Sequence, residues 1–220
     1  MREPTSHSPT KGFHMALPRF LAAAAVMLAA TLSCSDATAP AADTERAATD
    51  LRLLAAPYGT PPLVSTQASF YAVKGKAGGV DIWYRPAAGH ADSAKFLEFR
   101  VGAGSLDRRP DGSPIAAGDS VLISLTVTDP THFIVEFQPT GLVFSATDQA
   151  TLKVSFAACG DDLNYDGRVD ALDANMMASL SFWRQEGPFQ PWFKVASSVA
   201  TSVKEVSSAL PGFSGYAMMY

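Results

Sequence analysis

From residue 63 onward the sequence is a succession of short apolar runs, each cut off by glycine, proline or aspartate. Phe70-Tyr71-Ala72-Val73-Lys74 stops at Gly75–Gly79, and Val80-Asp81-Ile82-Trp83-Tyr84 stops at Arg85-Pro86. Phe96–Val101 runs into a loop, Gly102–Gly118, that carries DRRPDGSP. Ser120–Thr128 and Phe133–Phe137 follow. In Ala150–Phe156, Leu152, Val154 and Phe156 alternate with Thr151, Lys153 and Ser155. A period of two puts every second side chain on one face of a strand, so each run predicts a half-buried strand. In Phe96–Val101 the inward face stays open between Phe96, with Glu98 and Arg100, and the set Leu97, Phe99 and Val101. The clusters between runs are turn chemistry. No strand–helix alternation is present, which argues against a doubly wound α/β fold. The expected class is mainly β, an antiparallel sandwich or barrel. The apolar stretch Gly212–Tyr220 reads as a further strand tied into the sheet.

Composition narrows the function. The chain has 220 residues, 47% of them hydrophobic, which is enough for one real core. A net charge of −4 argues against a nucleic-acid protein, which would carry a basic patch. Two cysteines exclude a disulfide scaffold and a four-cysteine zinc site. The four histidines, His7, His14, His90 and His132, share no metal-ligand spacing.

The N-terminus carries an export signal. Residues 17–34 read LPRFLAAAAVMLAATLSC, with Arg19 ahead of the apolar run Leu21–Leu32. The run is too short to span a bilayer, which takes roughly 18 residues, and fits the core of a secretory signal occupying residues 1–33. Met15 is a second candidate start. Thr31-Leu32-Ser33-Cys34 resembles a bacterial lipoprotein box, which implies cleavage before Cys34 and lipidation of that cysteine. Ordinary cleavage with Cys34 as a bystander is the alternative. Cleavage would leave a mature chain of net charge −6, with Cys159 as its sole thiol if Cys34 is lipidated. A free, buried Cys159 is expected, rather than a Cys34–Cys159 disulfide. Residues 34–62, rich in Ala, Thr, Asp and Pro, read as a flexible, disordered tether with a short helical turn around Asp50–Ala56. The sandwich then spans residues 63–160, with C-terminal strands in 187–220 completing it.

Residues 161–186 break the β pattern. Asp162-Leu-Asn-Tyr-Asp-Gly-Arg-Val-Asp-Ala-Leu-Asp173 sets side-chain oxygens at loop positions one, three and five: Asp162, Asn164 and Asp166. Gly167 is sixth, Arg168 seventh with its carbonyl, Asp170 ninth and Asp173 twelfth. This is the register of an EF-hand calcium loop. Calcium is a hard ion that takes six to eight oxygens at about 2.3–2.6 Å, and alternate residues of a tight loop can supply them. Four carboxylates in one loop repel each other without a cation, so the expected cofactor is Ca2+. A helix, Ala171–Arg184, is expected to follow, with Leu172, Met176, Leu180 and Trp183 on one face.

Aspartate at position twelve and the run Asp-x-Asn-x-Asp-Gly resemble a dockerin repeat, which implies a docking helix and a protein partner. Dockerins carry two such loops and this chain has one. A single loop that staples the β-domain is therefore the favoured reading. The turn Pro139-Thr-Gly141-Leu142-Val-Phe144, the amphipathic strand after it and the ending Phe213-Ser-Gly-Tyr216-Ala217 resemble the Greek-key β-sandwich module of zonula occludens proteins, netrin receptors and ankyrins. That resemblance implies a binding or structural piece.

Signs of catalysis are weak, and no enzyme is expected. Gly212-Phe213-Ser214-Gly215 lacks the spacing of a nucleophile elbow. Glu98 and Glu136 could serve as paired carboxylates only if they shared a cleft. Trp83, Tyr84, Phe189, Trp192 and Phe193 could form a sugar-stacking surface, although core packing is the commoner role for such residues. The expectation is thus an exported, calcium-binding module of the bacterial cell envelope, lipid-anchored in the periplasm or at the surface, or secreted. A membrane through the anchor and a protein or glycan are its candidate partners. The alternatives are a dockerin-like docking module and a carbohydrate-binding or carbohydrate-active surface protein.

Overall fold

Among the described residues, fourteen strands and one α-helix follow each other in the order β1 (Glu45–Arg46), β2 (Gln67–Val73), β3 (Gly78–Trp83), β4 (Lys95–Val101), β5 (Leu106–Arg108), β6 (Ser120–Asp129), β7 (Ile134–Gln138), β8 (Val143–Phe144), β9 (Ala150–Ser155), α1 (Ala171–Ser179), β10 (Ser181–Gln185), β11 (Trp192–Lys194), β12 (Ser197–Ala200), β13 (Glu205–Leu210) and β14 (Gly215–Met219). These elements come from a computed structural model, which describes residues 44–86 and 93–220. The expected signal segment, Cys34, the first part of the tether and His90 lie outside the described residues.

The class is the one the alternation predicts, an antiparallel β-sandwich. One sheet has seven strands in the order β1-β11-β10-β14-β7-β6-β2, and the other has five in the order β12-β13-β9-β4-β3. A small β5-β8 pair stands beside them. Non-consecutive neighbours such as β4·β9, β9·β13 and β7·β14 come from connections that cross between the sheets, as in Greek keys.

The core is built from the inward positions of both sheets. Leu97, Phe99 and Val101 point in, which settles the open face of β4, while Glu98 and Arg100 are half-exposed on the outside. Phe96 is buried as well, between the rings of Tyr84 and Phe133 at 5.4 and 5.8 Å. Phe99 stands at the centre, with Phe137 at 5.0 Å and Phe213 at 5.7 Å. Burying each such ring is worth about 1.5–3 kcal/mol. The turn at Pro139–Phe144 packs on the ending at Phe213. Phe213 donates its amide to the carbonyl of Leu142 at 3.0 Å, and Gly141 donates back to the carbonyl of Phe213 at 3.3 Å. A Cβ at Gly212 would stand 2.8 Å from the Leu142 carbonyl oxygen, so this close approach requires glycine.

Two expectations are corrected. The helix does not run from Ala171 to Arg184. It ends at Ser179, Leu180 leaves the helical region with ψ 133, and Ser181–Gln185 is a strand between β14 and β11. A strand with neighbours on both sides buries both faces, and Ser181, Phe182 and Trp183 are all buried. That double burial hides the period-two signal. The second correction concerns the tether. From Thr44 onward the chain is held on the sandwich. β1 pairs with β11, Leu53 bridges Met219, and Leu54 is fully buried and donates its amide to the Met218 carbonyl. No helical turn forms at Asp50–Ala56, because this stretch spends its hydrogen bonds on the sheet and on Thr131. Arg46 and Leu53 lie against the outer face of the seven-stranded sheet. There Trp183, Trp192, Ala217 and Met219 form a second cluster, and the Arg46 guanidinium stands 4.5 Å from the Trp183 ring centre.

Candidate metal centre

The loop 162–173 leaves the five-stranded sheet after β9. A short 3-10 turn, Ala157–Cys159, stands where an EF-hand has its first helix. Leu163 plugs into the core, 2% exposed, and fixes the loop's root. Gly167 has φ 86, so the sixth position needs glycine, as the register requires.

The oxygens of the predicted ligand set are turned onto the loop's own amides. Asp162 accepts from Asp166 N at 3.2 Å and from Gly167 N at 2.9 Å. Asn164 Oδ1 accepts from Asp166 N at 3.0 Å, and its side-chain amide donates to Asp166 Oδ2 at 3.2 Å. Asp166 Oδ1 accepts from Arg168 N at 2.9 Å. Asp170 is the N-cap of α1, accepting from Leu172 N at 2.7 Å, and forms a reciprocal capping box with Asp173. The twelfth position closes the ring. Buried Asp173 accepts from Leu163 N at 2.7 Å, Asn164 N at 3.3 Å and Asp170 N at 2.9 Å. These amides, Asp170 N first, hold its carboxyl below the usual carboxylate range and outweigh the opposing effect of burial.

Among the described residues, no three His, Cys, Asp or Glu side chains converge as a metal-binding group. The loop's candidate donors are four carboxylates, those of Asp162, Asp166, Asp170 and Asp173, plus the Asn164 amide oxygen and the Arg168 carbonyl, spread over the register. That set is all oxygen, with no thiolate or imidazole, and fits a hard cation rather than zinc. Each carboxylate oxygen has two lone pairs. Asp162 and Asp166 therefore keep free lone pairs while accepting their amides. Asp173 Oδ1 already accepts two amides, so a two-oxygen grip from position twelve requires it to release Asn164 N.

Sequence reasoning did not anticipate what the loop holds. Tyr165, the fourth residue, donates its hydroxyl to the carbonyl of Ala55. The Cys159 thiol points at the same oxygen from 3.6 Å. Cys159 is free and buried, as expected, and burial pushes its thiol up to about 11. On the other side Lys204 Nζ meets Asp161 Oδ1 at 2.7 Å, tying the loop to the turn between β12 and β13. The tyrosine inside the loop was the only available signal, since its partner is a backbone carbonyl in a stretch read as tether.

The other candidates disperse. Glu98 lies on the outer face of the five-stranded sheet and Glu136 on that of the seven-stranded sheet, so they share no cleft. Glu98 sits in a charge network: Lys95 Nζ at 2.5 Å, Arg100 at 3.6 Å and Lys153 at 3.9 Å. Of the residues a docking helix would expose, Leu180 is buried, and Met176 and Met177 pack on the core, while Leu172 stays 59% exposed. Tyr84 and Trp192 are buried, and Phe189 is 94% exposed. His132 pairs with Asp129 at 2.7 Å in the β6–β7 turn. Among the described residues no helix is long and apolar enough to cross a membrane.

Comparison with known proteins brings no match: no protein-family model matches the sequence, no curated protein is significantly similar to it, and no solved structure matches the fold. The resemblances stated above rest on the residues quoted for them.

Proposed function

We propose that this chain is an exported, calcium-binding structural or binding module without catalytic activity, anchored through lipid at Cys34. The metal ligands would be Asp162, Asn164, Asp166, the Arg168 carbonyl, Asp170 and Asp173. The observation that carries the reading is the closed loop. Asp173 returns from the first turn of α1 to the amides at loop positions two and three, while Gly167 turns the chain at position six. A cation held there neutralises carboxylates that otherwise repel, and fastens the core plug Leu163, the helix start and the N-terminal segment in one place. The role is structural: the loop joins three parts of the fold. An affinity of about 10⁻⁴–10⁻³ M, common in extracellular calcium modules, would suffice.

Thermal unfolding with calcium and with chelator tests this. Calcium at ~100 times Kd stabilises a one-site protein by about 2.7 kcal/mol, equivalent to roughly 5–10 °C in a domain of this size. The expected result is a rise of that order in the wild type and none in Asp162→Ala. An equal melting temperature with and without calcium in the wild type overturns the proposal.

A further inference from the structure

On the seven-stranded sheet, away from the loop, β10, β14 and β7 lie side by side with Gln185, Gly215 and Glu136 in one row. The middle member has no side chain. A Cβ at Gly215 would meet its nearest atom, the Gln185 carbonyl oxygen, at an ordinary 3.6 Å, so the backbone does not demand glycine there. The glycine leaves a trough with a carboxylate on one bank and a carboxamide on the other. Around it opens a cleft of about 450 Å³, which Gln138, Glu186, Pro188 and Ser214 also line.

Two features of the cleft call for a ligand. Glu136 has no ion-pair partner within 4 Å among the described residues, while Glu186 is paired with Arg184. Phe189, which directly follows Pro188, is 94% exposed and sits at φ 65. A bulky residue in that region is strained, and strain of this kind marks functional sites.

We infer that this cleft binds a neutral oligosaccharide. Carboxylate, carboxamide and hydroxyl groups together both donate to and accept from sugar hydroxyls. Phe189, one residue beyond the lining residue Pro188, is exposed, and a ring of this kind offers a flat apolar face to the C–H face of a sugar. A few convergent polar groups around a concave surface is the usual make-up of a small-ligand site. The amides and the paired Glu186 favour a neutral ligand over a cation, which would have Glu136 alone to bind.

The test titrates the full chain with maltohexaose, cellohexaose and N-acetylchitohexaose by calorimetry. At least one is expected to bind with Kd below about 1 mM. Phe189→Ala and Glu136→Ala are each expected to weaken that binding about tenfold. Tyr71→Ala, which removes an exposed ring on β2, is expected to leave it unchanged. Both Phe189 and Glu136 are exposed, so the variants fold. Binding should survive about 0.5 M NaCl, which screens surface charges. No binding of any hexaose, binding undiminished in Phe189→Ala, or binding lost in salt would each overturn the assignment.

Discussion

At the scale of single residues, the outer face of the five-stranded sheet is organised around Glu98. Asp81, Glu98, Lys153 and Ser207 sit opposite one another across four strands, and Ser207 shares a hydroxyl hydrogen bond of 2.7 Å with Ser198 on a fifth. The Lys95 hydrogen bond holds the Glu98 carboxyl below its ordinary value, against burial and with help from Arg100 and Lys153. The same bond raises Lys95. A carboxyl depressed by folding stabilises the native state fully above its unfolded value, about 4.3, and loses that contribution as pH falls through the folded value. Exposed pairs contribute up to about 1 kcal/mol, or roughly 2–4 °C here. Glu98→Gln is therefore expected to melt a few degrees below wild type at neutral pH. The gap should close in melts run at progressively lower pH, below the ordinary carboxylate value. A gap that persists unchanged in acid would show that Glu98 acts through packing instead of charge.

At the scale of elements, the loop 162–173 and the N-terminal segment share one carbonyl, that of Ala55. Tyr165 occupies a loop position outside the proposed ligand set, so its hydroxyl can be removed without touching that set. A hydrogen bond of this kind contributes about 1 kcal/mol, close to a fivefold change in a local opening equilibrium. Tyr165→Phe should retain calcium affinity while trypsin cuts after Arg52 about five times faster in calcium. Equal cleavage rates would place the segment's hold elsewhere, on Leu54 and the Leu53–Met219 bridge. These elements also show what the sequence could and could not tell. Strands with one wet face, such as β6 and β9, were legible because alternation survives in Val121–Val127 and Leu152–Val154. β10 was misread because both its faces are buried, and a dry strand of Ser-Phe-Trp continues a helical pattern without a break. β1 was missed because two residues carry no period and their partners lie far along the chain. The loop's Asp, Asn and Gly spacing was legible because it is local, and Gly167 has the positive φ that the sixth position of that register needs. The cleft was not: its row of Gln185, Gly215 and Glu136 comes from three strands distant in sequence.

At the scale of the whole molecule, the proposed anchor and the proposed metal loop meet through the N-terminal segment. If Cys34 carries lipid, wild-type protein made in a bacterial host should partition into the detergent phase of a cloud-point separation, and Cys34→Ser should move to the aqueous phase. Equal partitioning of the two would leave ordinary signal cleavage as the route of export. The segment from Thr44 to Ala56 is then the part through which any pull on the anchor reaches the fold. A pull toward the N-terminus meets β1 first. β1 is two residues long and pairs with β11 alone, so it has few bonds to lose. The Leu53–Met219 bridge and the buried Leu54 come next, followed by the Ala55 carbonyl, which is tied to the loop. Load thus arrives at the sandwich in stages, with the weakest joint outermost. With such an anchor, short slack would be released before the C-terminal strand is disturbed, and the edge strand would serve as a shock absorber for the domain behind it.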